Sequence, residues 1–112
     1  MRRVLTSGKK LNQFIVESLE DIKAFDITVI DVRKKTSMTD YMIIASANSN
    51  RQTKALARHL RDKLKEVGKE IVNIEGDMMG EWVLVDLNEV LVHIMLPTTR
   101  AYYNLEQLWQ PS

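Results

Sequence analysis

The sequence predicts a single two-layer α/β domain with five strands and three helices, in the order helix, strand, strand, helix, strand, strand, strand, helix. Three observations carry that expectation. The chain has 112 residues, enough to bury roughly two thirds of its unfolded surface in one core and too few for a second. Two segments space their apolar residues as helices do, with charges between them. Five short runs of β-branched and aliphatic residues lie between polar breaks.

Residues 1–9 read as a loosely ordered N-terminal extension of a domain that takes in residues 1–112. From Lys10 to Ala24, Leu11, Phe14, Ile15, Leu19 and Ile22 form one apolar stripe, the first helix. Asp26 to Val32 and Tyr41 to Ser46 are strand runs, joined through the polar segment Arg33 to Asp40 as a hairpin with a wide turn. The second helix starts near Asn48 or Ser49, both good N-caps, and stops at Gly68, where a left-handed cap is easily adopted. Its buried stripe is Leu56, Ala57, Leu60, Leu64 and Val67. Ile71 to Ile74, Trp82 to Leu87 and Val90 to Leu96 are the remaining strands, the last two joined by a very short turn at Asn88-Glu89. Pro97 ends the last strand, and Thr98 or Thr99 caps a third helix that runs to about Trp109.

Composition excludes several functions. Sixteen Lys and Arg stand against fifteen Asp and Glu, a net charge of +1, so any pull toward nucleic acid must come from a local patch. The second helix offers one, a row of Arg51, Lys54, Arg58, Arg61 and Lys65 diluted by Asp62 and Glu66, with Arg58 and Asp62 spaced to pair. Such a row is read first as a solvated face and second as a supporting phosphate contact. The chain has no cysteine, which excludes disulfides, thiolate metal sites and a cysteine nucleophile and fits the cytoplasm. The longest nearly uncharged stretch, Tyr41 to Asn50, is too short to span a bilayer, and no signal-peptide apolar core follows Met1. A soluble, unprocessed protein is expected.

With a turn at Asn88-Glu89, Leu87 faces Val90, Val85 faces Val92 and Val83 faces Ile94. Strand side chains alternate, so one face of this hairpin is wholly aliphatic and packs on helices. The other carries Trp82, Leu84, Asp86, Leu91, His93 and Met95, too apolar for a solvent face and too mixed for a core. Either a helix covers it or a partner protein does. Met78 and Met79, in the preceding glycine-bounded loop, extend the same patch with adaptable side chains.

Catalytic signals are weak. Asp31, Asp40, Asp86 and His93 are the carboxylates and imidazole that fall near strands, and a metal or acid–base site would need three of them to converge. No phosphate-binding Gly-rich loop, dinucleotide fingerprint, zinc-protease helix or nucleophile elbow occurs. The residues alone point to a small binding protein.

Asp31-Val32, Ser37 with Thr39-Asp40-Tyr41, Ser49-x-Arg51, Glu75-Gly76, Trp82 to Leu87, Val90-x-Val92-His93 and Arg100-x-x-Tyr103-x-Leu105-Glu106-x-Leu108-Trp109 together resemble the ribosomal silencing factor family, the Iojap-like group of bacteria, mitochondria and chloroplasts. The resemblance runs from about Leu11 to Trp109. One departure is Asn88-Glu89, where Gly-Asp is usual. The resemblance implies a mixed sheet with helices, similar to the nucleotidyltransferase fold. The Gly-Ser and paired-aspartate signature of active transferases is missing: the segment Ala45 to Ser49 lacks the glycine and the chain has no Asp-x-Asp.

It further implies a non-enzymatic factor without cofactor or metal. Such a factor binds the large ribosomal subunit through large-subunit ribosomal protein fourteen and sterically blocks subunit joining when nutrients are short. The partner contact then falls on Glu75, Asp77, Met79, Trp82, Leu84, Asp86 and His93. A minor ribosomal RNA contact through Arg51, Lys54 and Arg58, and a homodimer off the ribosome, are also expected. Arg100, Tyr103, Leu105 and Trp109 read as core and helix docking, with Arg100 able to reach a carboxylate such as Asp86. The competing reading is a nucleotidyltransferase-like enzyme that binds nucleotide with magnesium through Asp31, Asp40 and Asp86.

Overall fold

The computed structural model describes residues 8–109. In chain order these form α1 (Gly8–Asp21), β1 (Phe25–Asp31), β2 (Tyr41–Ser46), α2 (Asn50–Glu66), β3 (Asn73–Glu75), β4 (Trp82–Asp86), β5 (Val90–Met95), α3 (Pro97–Tyr103) and α4 (Leu105–Trp109). Residues 1–7 of the expected extension lie outside the described residues, while Gly8 and Lys9 belong to the first turn of α1.

The five strands make one sheet in the order β1-β2-β5-β4-β3. β2 and β5 run parallel at its centre, and the other three pairings are antiparallel. Every residue of β2 is buried, as central strands covered on both faces are. The β4–β5 register is the one the sequence predicts: Val83 pairs with Ile94 and Val85 with Val92, and the Leu87 N–H bonds the Val90 carbonyl.

One face of the sheet holds Ile43, Ala45, Val83, Val85, Val90, Val92 and Ile94, packed against Leu11, Ile15 and Leu19 of α1 and Leu56, Leu60 and Leu64 of α2. These are the apolar stripes read from the sequence. The Ser49 hydroxyl caps α2 by accepting the Gln52 N–H at 3.1 Å. Gly68, at φ +79, closes the other end, with the Lys69 N–H returning to the Leu64 carbonyl.

The C-terminal region departs from expectation in three ways. Leu96, not Thr98 or Thr99, is the N-cap of α3, and Pro97 opens the helix, where its missing N–H costs nothing. The single helix predicted to reach Trp109 is two, so the domain has four helices: Asn104, at φ 50, turns left-handed and breaks the run. The reverse face of the sheet also gains cover, because Leu105 and Trp109 of α4 pack on a second cluster of Ile30, Val32, Met42, Ile44 and Met95.

Candidate binding face

Arg100 fixes these C-terminal helices to the sheet. Its side chain is buried and donates to Glu106 Oε2 (2.9 Å), the Ser46 hydroxyl (2.8 Å), the Thr28 hydroxyl (3.2 Å) and the Asp26 carbonyl. Asp26 sits in a β-bulge of the edge strand β1 at φ 50, a strained conformation whose carbonyl Arg100 holds in place. Arg100 therefore meets Glu106 rather than Asp86.

Beyond the part that α4 covers, the reverse face is open. Glu75, Gly76, Trp82, Leu84 and His93 line a shallow hollow of about 260 Å³. Register brings them together: Glu75 pairs with Leu84, and Leu84 with His93, across three adjacent strands. Gly76 lets the backbone close in, since at φ +83 a Cβ there would lie 2.1 Å from the Trp82 carbonyl oxygen. The Trp82 indole N–H donates to His93 Nδ1 at 2.9 Å, so this nitrogen is unprotonated and the neutral ring carries its proton on Nε2. That Nε2 is buried without a partner among the described residues. Burial lowers the His93 pKa to about 4, and the imidazole is neutral at physiological pH.

An aromatic row climbs from this floor to the surface. The His93 and Trp82 rings lie 5.8 Å apart, Trp82 and Tyr103 4.8 Å, and Tyr103 and Tyr102 5.0 Å edge-on. Tyr103 is half-exposed and Tyr102 exposed. Tyr103 is thus not the core residue the sequence predicts. No local signal in the sequence marks this exposure.

The loop between β3 and β4 presents Met78 and Met79, 89% and 70% exposed, and it is pinned from below. Asn50 Nδ2 donates to the Met79 carbonyl (2.9 Å) and the Thr53 hydroxyl to the Gly80 carbonyl (2.6 Å). Two exposed thioethers thus stand on an anchored loop.

Of the residues singled out in the sequence, Glu75, Trp82, Leu84 and His93 meet in the hollow, with Asp77 and Met79 exposed in the adjoining loop. Asp86 shares the face but ends β4 at the far side, and its Oδ1 accepts the Asn88 N–H at 2.7 Å to form the turn. Asp31 is engaged by Arg33 through two side-chain bonds that hold its carboxyl down at about 2. Among the described residues no three His, Asp or Glu side chains gather closely enough to hold a metal ion. On α2, Arg51 and Arg58 are exposed and Lys54 half-exposed; Asp62 lies 3.5 Å from Arg61 instead of pairing with Arg58. No helix among the described residues is long and apolar enough to cross a membrane.

Residues 6–112 match the family model described as "Ribosomal silencing factor during starvation". A Chromobacterium violaceum protein named "Ribosomal silencing factor RsfS" is 50% identical over 101 residues, covering 90% of this chain and 83% of that one. A mouse protein named "Mitochondrial assembly of ribosomal large subunit protein 1" is 37% identical over 98 residues, which make up 85% of this chain and 43% of that longer one. A crystal structure of a C. violaceum protein superposes with a TM-score of 0.90 at 48% identity, covering 96% of this chain and 92% of that one.

Proposed function

The chain belongs to the ribosomal silencing factor family, and from that premise we propose that its open sheet face docks on a large-subunit ribosomal protein of the intersubunit surface, large-subunit ribosomal protein fourteen. The bound domain then stands where the small subunit would join, and translation is damped under nutrient limitation by steric exclusion, with no reaction required. The observation that carries this reading is the hollow of Glu75, Trp82, Leu84 and His93, extended by Tyr103, with Met79 exposed in the loop that follows β3. Large aromatic and methionine groups give a desolvated centre. Glu75 and Asp77 lie beside them and suit the basic surface of a ribosomal protein, setting register more than affinity.

His93 contributes from beneath, by holding the indole through Nδ1. Asp86 would act at the far margin. Arg51, Lys54 and Arg58, on the first half of α2, would supply a minor ribosomal RNA contact. A homodimer through the same apolar face, formed in the cytoplasm off the ribosome, would shield it when no subunit is present. Likeness to nucleotidyltransferases is proposed as a likeness of sheet layout alone. The mouse relative's name, which concerns large-subunit assembly, supports a large-subunit partner.

Co-sedimentation of the purified protein with separated subunits in sucrose gradients tests this reading. The wild type should travel with large subunits and reduce joined particles when small subunits are added. Trp82→Ala should weaken association by about 30-fold, the loss of a hot-spot residue at 2 kcal/mol or more. Met79→Glu, at an exposed site that leaves the fold alone, should weaken it too. Normal association of both variants would show that the contact lies elsewhere.

A further inference from the structure

The sheet has two ends, and one of them gathers charges of both signs. Glu75, Trp82, Ser46 and Met95 mark one end; Asp31, Tyr41, Val90, Asp86 and Asn73 mark the other. At this second end the β1–β2 turn carries Arg33, Lys34 and Lys35 in succession. The chain leaving α2 arrives there as well, because Lys69 forms an ion pair with Glu89 of the β4–β5 turn. The Glu89 carbonyl in turn accepts the N–H groups of Asp40 and Tyr41, where the β1–β2 turn rejoins the sheet. The chain leaving α2 thus reaches the end of the sheet that carries the β1–β2 turn, although β1 and β3 are its opposite edges.

At the β3 edge lies a cleft of about 400 Å³ between the C-terminal half of α2 and β3, lined by Arg61, Lys65, Lys69, Glu70, Ile71 and Ile74 among others. Its chemistry is divided. Arg61 and Lys65 are exposed, and Lys65 has no ion-pair partner within 4 Å among the described residues. Ile71 and Ile74 are half-buried and give an apolar wall. Cations beside an apolar wall suit a ligand that is anionic on one side and flat and apolar on the other. Glu70 adds an acceptor at the same site, and an acceptor suits a ligand that also carries hydroxyl groups.

We propose that this cleft holds one unstacked nucleotide of a single-stranded or looped RNA. Arg61 and Lys65 take the phosphate, Ile71 and Ile74 lie against the base, and Glu70 accepts from the ribose 2′-hydroxyl. The volume matches the lower range of small-ligand sites. This contact is distinct from the sheet hollow and from the Arg51, Lys54 and Arg58 row, and it stands whether or not the hollow binds a ribosomal protein. With both in use, the domain would touch protein at one end and RNA at the other.

The test is fluorescence anisotropy of the full chain with a short labelled single-stranded RNA of mixed sequence, over a salt series from roughly 50 to 200 mM. The wild type should bind with a clear salt slope. Lys65→Glu and Arg61→Glu, both at exposed positions lining the cleft, should each reduce affinity at least about tenfold and flatten the slope by about 0.7 for each phosphate no longer neutralised. Ile71→Ala should reduce affinity without changing the slope, because it removes an apolar surface from the base and leaves the phosphates engaged. Trp82→Ala should bind RNA as the wild type does, which separates this site from the sheet face. Single-stranded DNA of the same sequence should bind more weakly. Wild-type RNA binding by both charge variants, no RNA binding even at the lowest salt, or equal binding of the DNA would each overturn the proposal.

Discussion

The buried imidazole of His93 makes stability depend on acidity in a defined window. In the unfolded chain it titrates near 6.5, and in the fold burial lowers it to about 4. Between these values the unfolded state binds a proton that the folded state refuses, so stability is full above about pH 6.5 and falls as pH drops toward 4. The gap from 6.5 to about 4, at 1.36 kcal/mol per pH unit, amounts to about 3 kcal/mol. Small domains hold roughly 5–15 kcal/mol in all, and this one side chain therefore governs acid tolerance. The protonated ring would have to abandon the Trp82 N–H, since Nδ1 would then be a donor facing a donor.

Urea titrations followed by tryptophan fluorescence and far-UV circular dichroism, at intervals from pH 4 to 7, measure the effect for the wild type and for His93→Gln. The glutamine carbonyl can accept the indole N–H but takes up no proton. The wild type should lose about 3 kcal/mol more than the variant across the window. Asp31 cancels in this comparison, being present in both proteins and titrating at about 2. Glu75, which lines the same hollow, is likewise common to both. Parallel stability profiles for the two proteins would refute the assignment of a neutral, solvent-excluded His93.

Gly76→Ala places a Cβ 2.1 Å from the Trp82 carbonyl at φ +83, and it should cost at least about 2 kcal/mol, lowering Tm by about 8 °C or more; an unchanged melting curve would disprove the close approach. Arg100→Leu should cost about 3 kcal/mol or more in chemical denaturation, because it leaves Glu106 and the bulged Asp26 carbonyl without their donor. The double variant with Glu106→Leu should be milder than the sum of its parts, and strict additivity would mean that the pair is not coupled.

The sequence is most informative where local chemistry decides the outcome. A turn of two residues between Leu87 and Val90 leaves one register open for β4 and β5, and the aliphatic alternation then assigns their faces. Ser49 and Gly68 bracket α2 because a cap and a left-handed stop act through bonds to neighbouring residues. Two features are hidden. Asn104 interrupts an otherwise helical pattern, and only its tolerance of positive φ announces the break. His93 is exposed or buried according to Trp82, eleven residues away in sequence, and to helices beyond Pro97. Residues 71–74 read as one strand, but pairing covers Asn73–Glu75; Ile71 instead lines the basic cleft, and no local signal separates those two uses of an isoleucine.

The mixed reverse face reads in sequence as either covered or docked, and the structure covers one part of it and leaves the other open. Met42, Ile44 and Met95 lie under α4, whereas the stretch from Trp82 to Glu75 is left open. The boundary between them is Tyr103, the last residue of α3, which packs on Trp82 while half of it faces outward. Tyr103 ends α3 because Asn104 turns left-handed, and the Arg100–Glu106 bond holds α4 beyond that turn. A continuous helix through Trp109 would change the direction in which Leu105 and Trp109 leave Tyr103, and with it the limit of the cover. The break that sequence periodicity conceals is therefore also what leaves an aromatic edge uncovered, and Arg100, buried and distant in sequence from Glu75, acts on that edge by holding α4 in place.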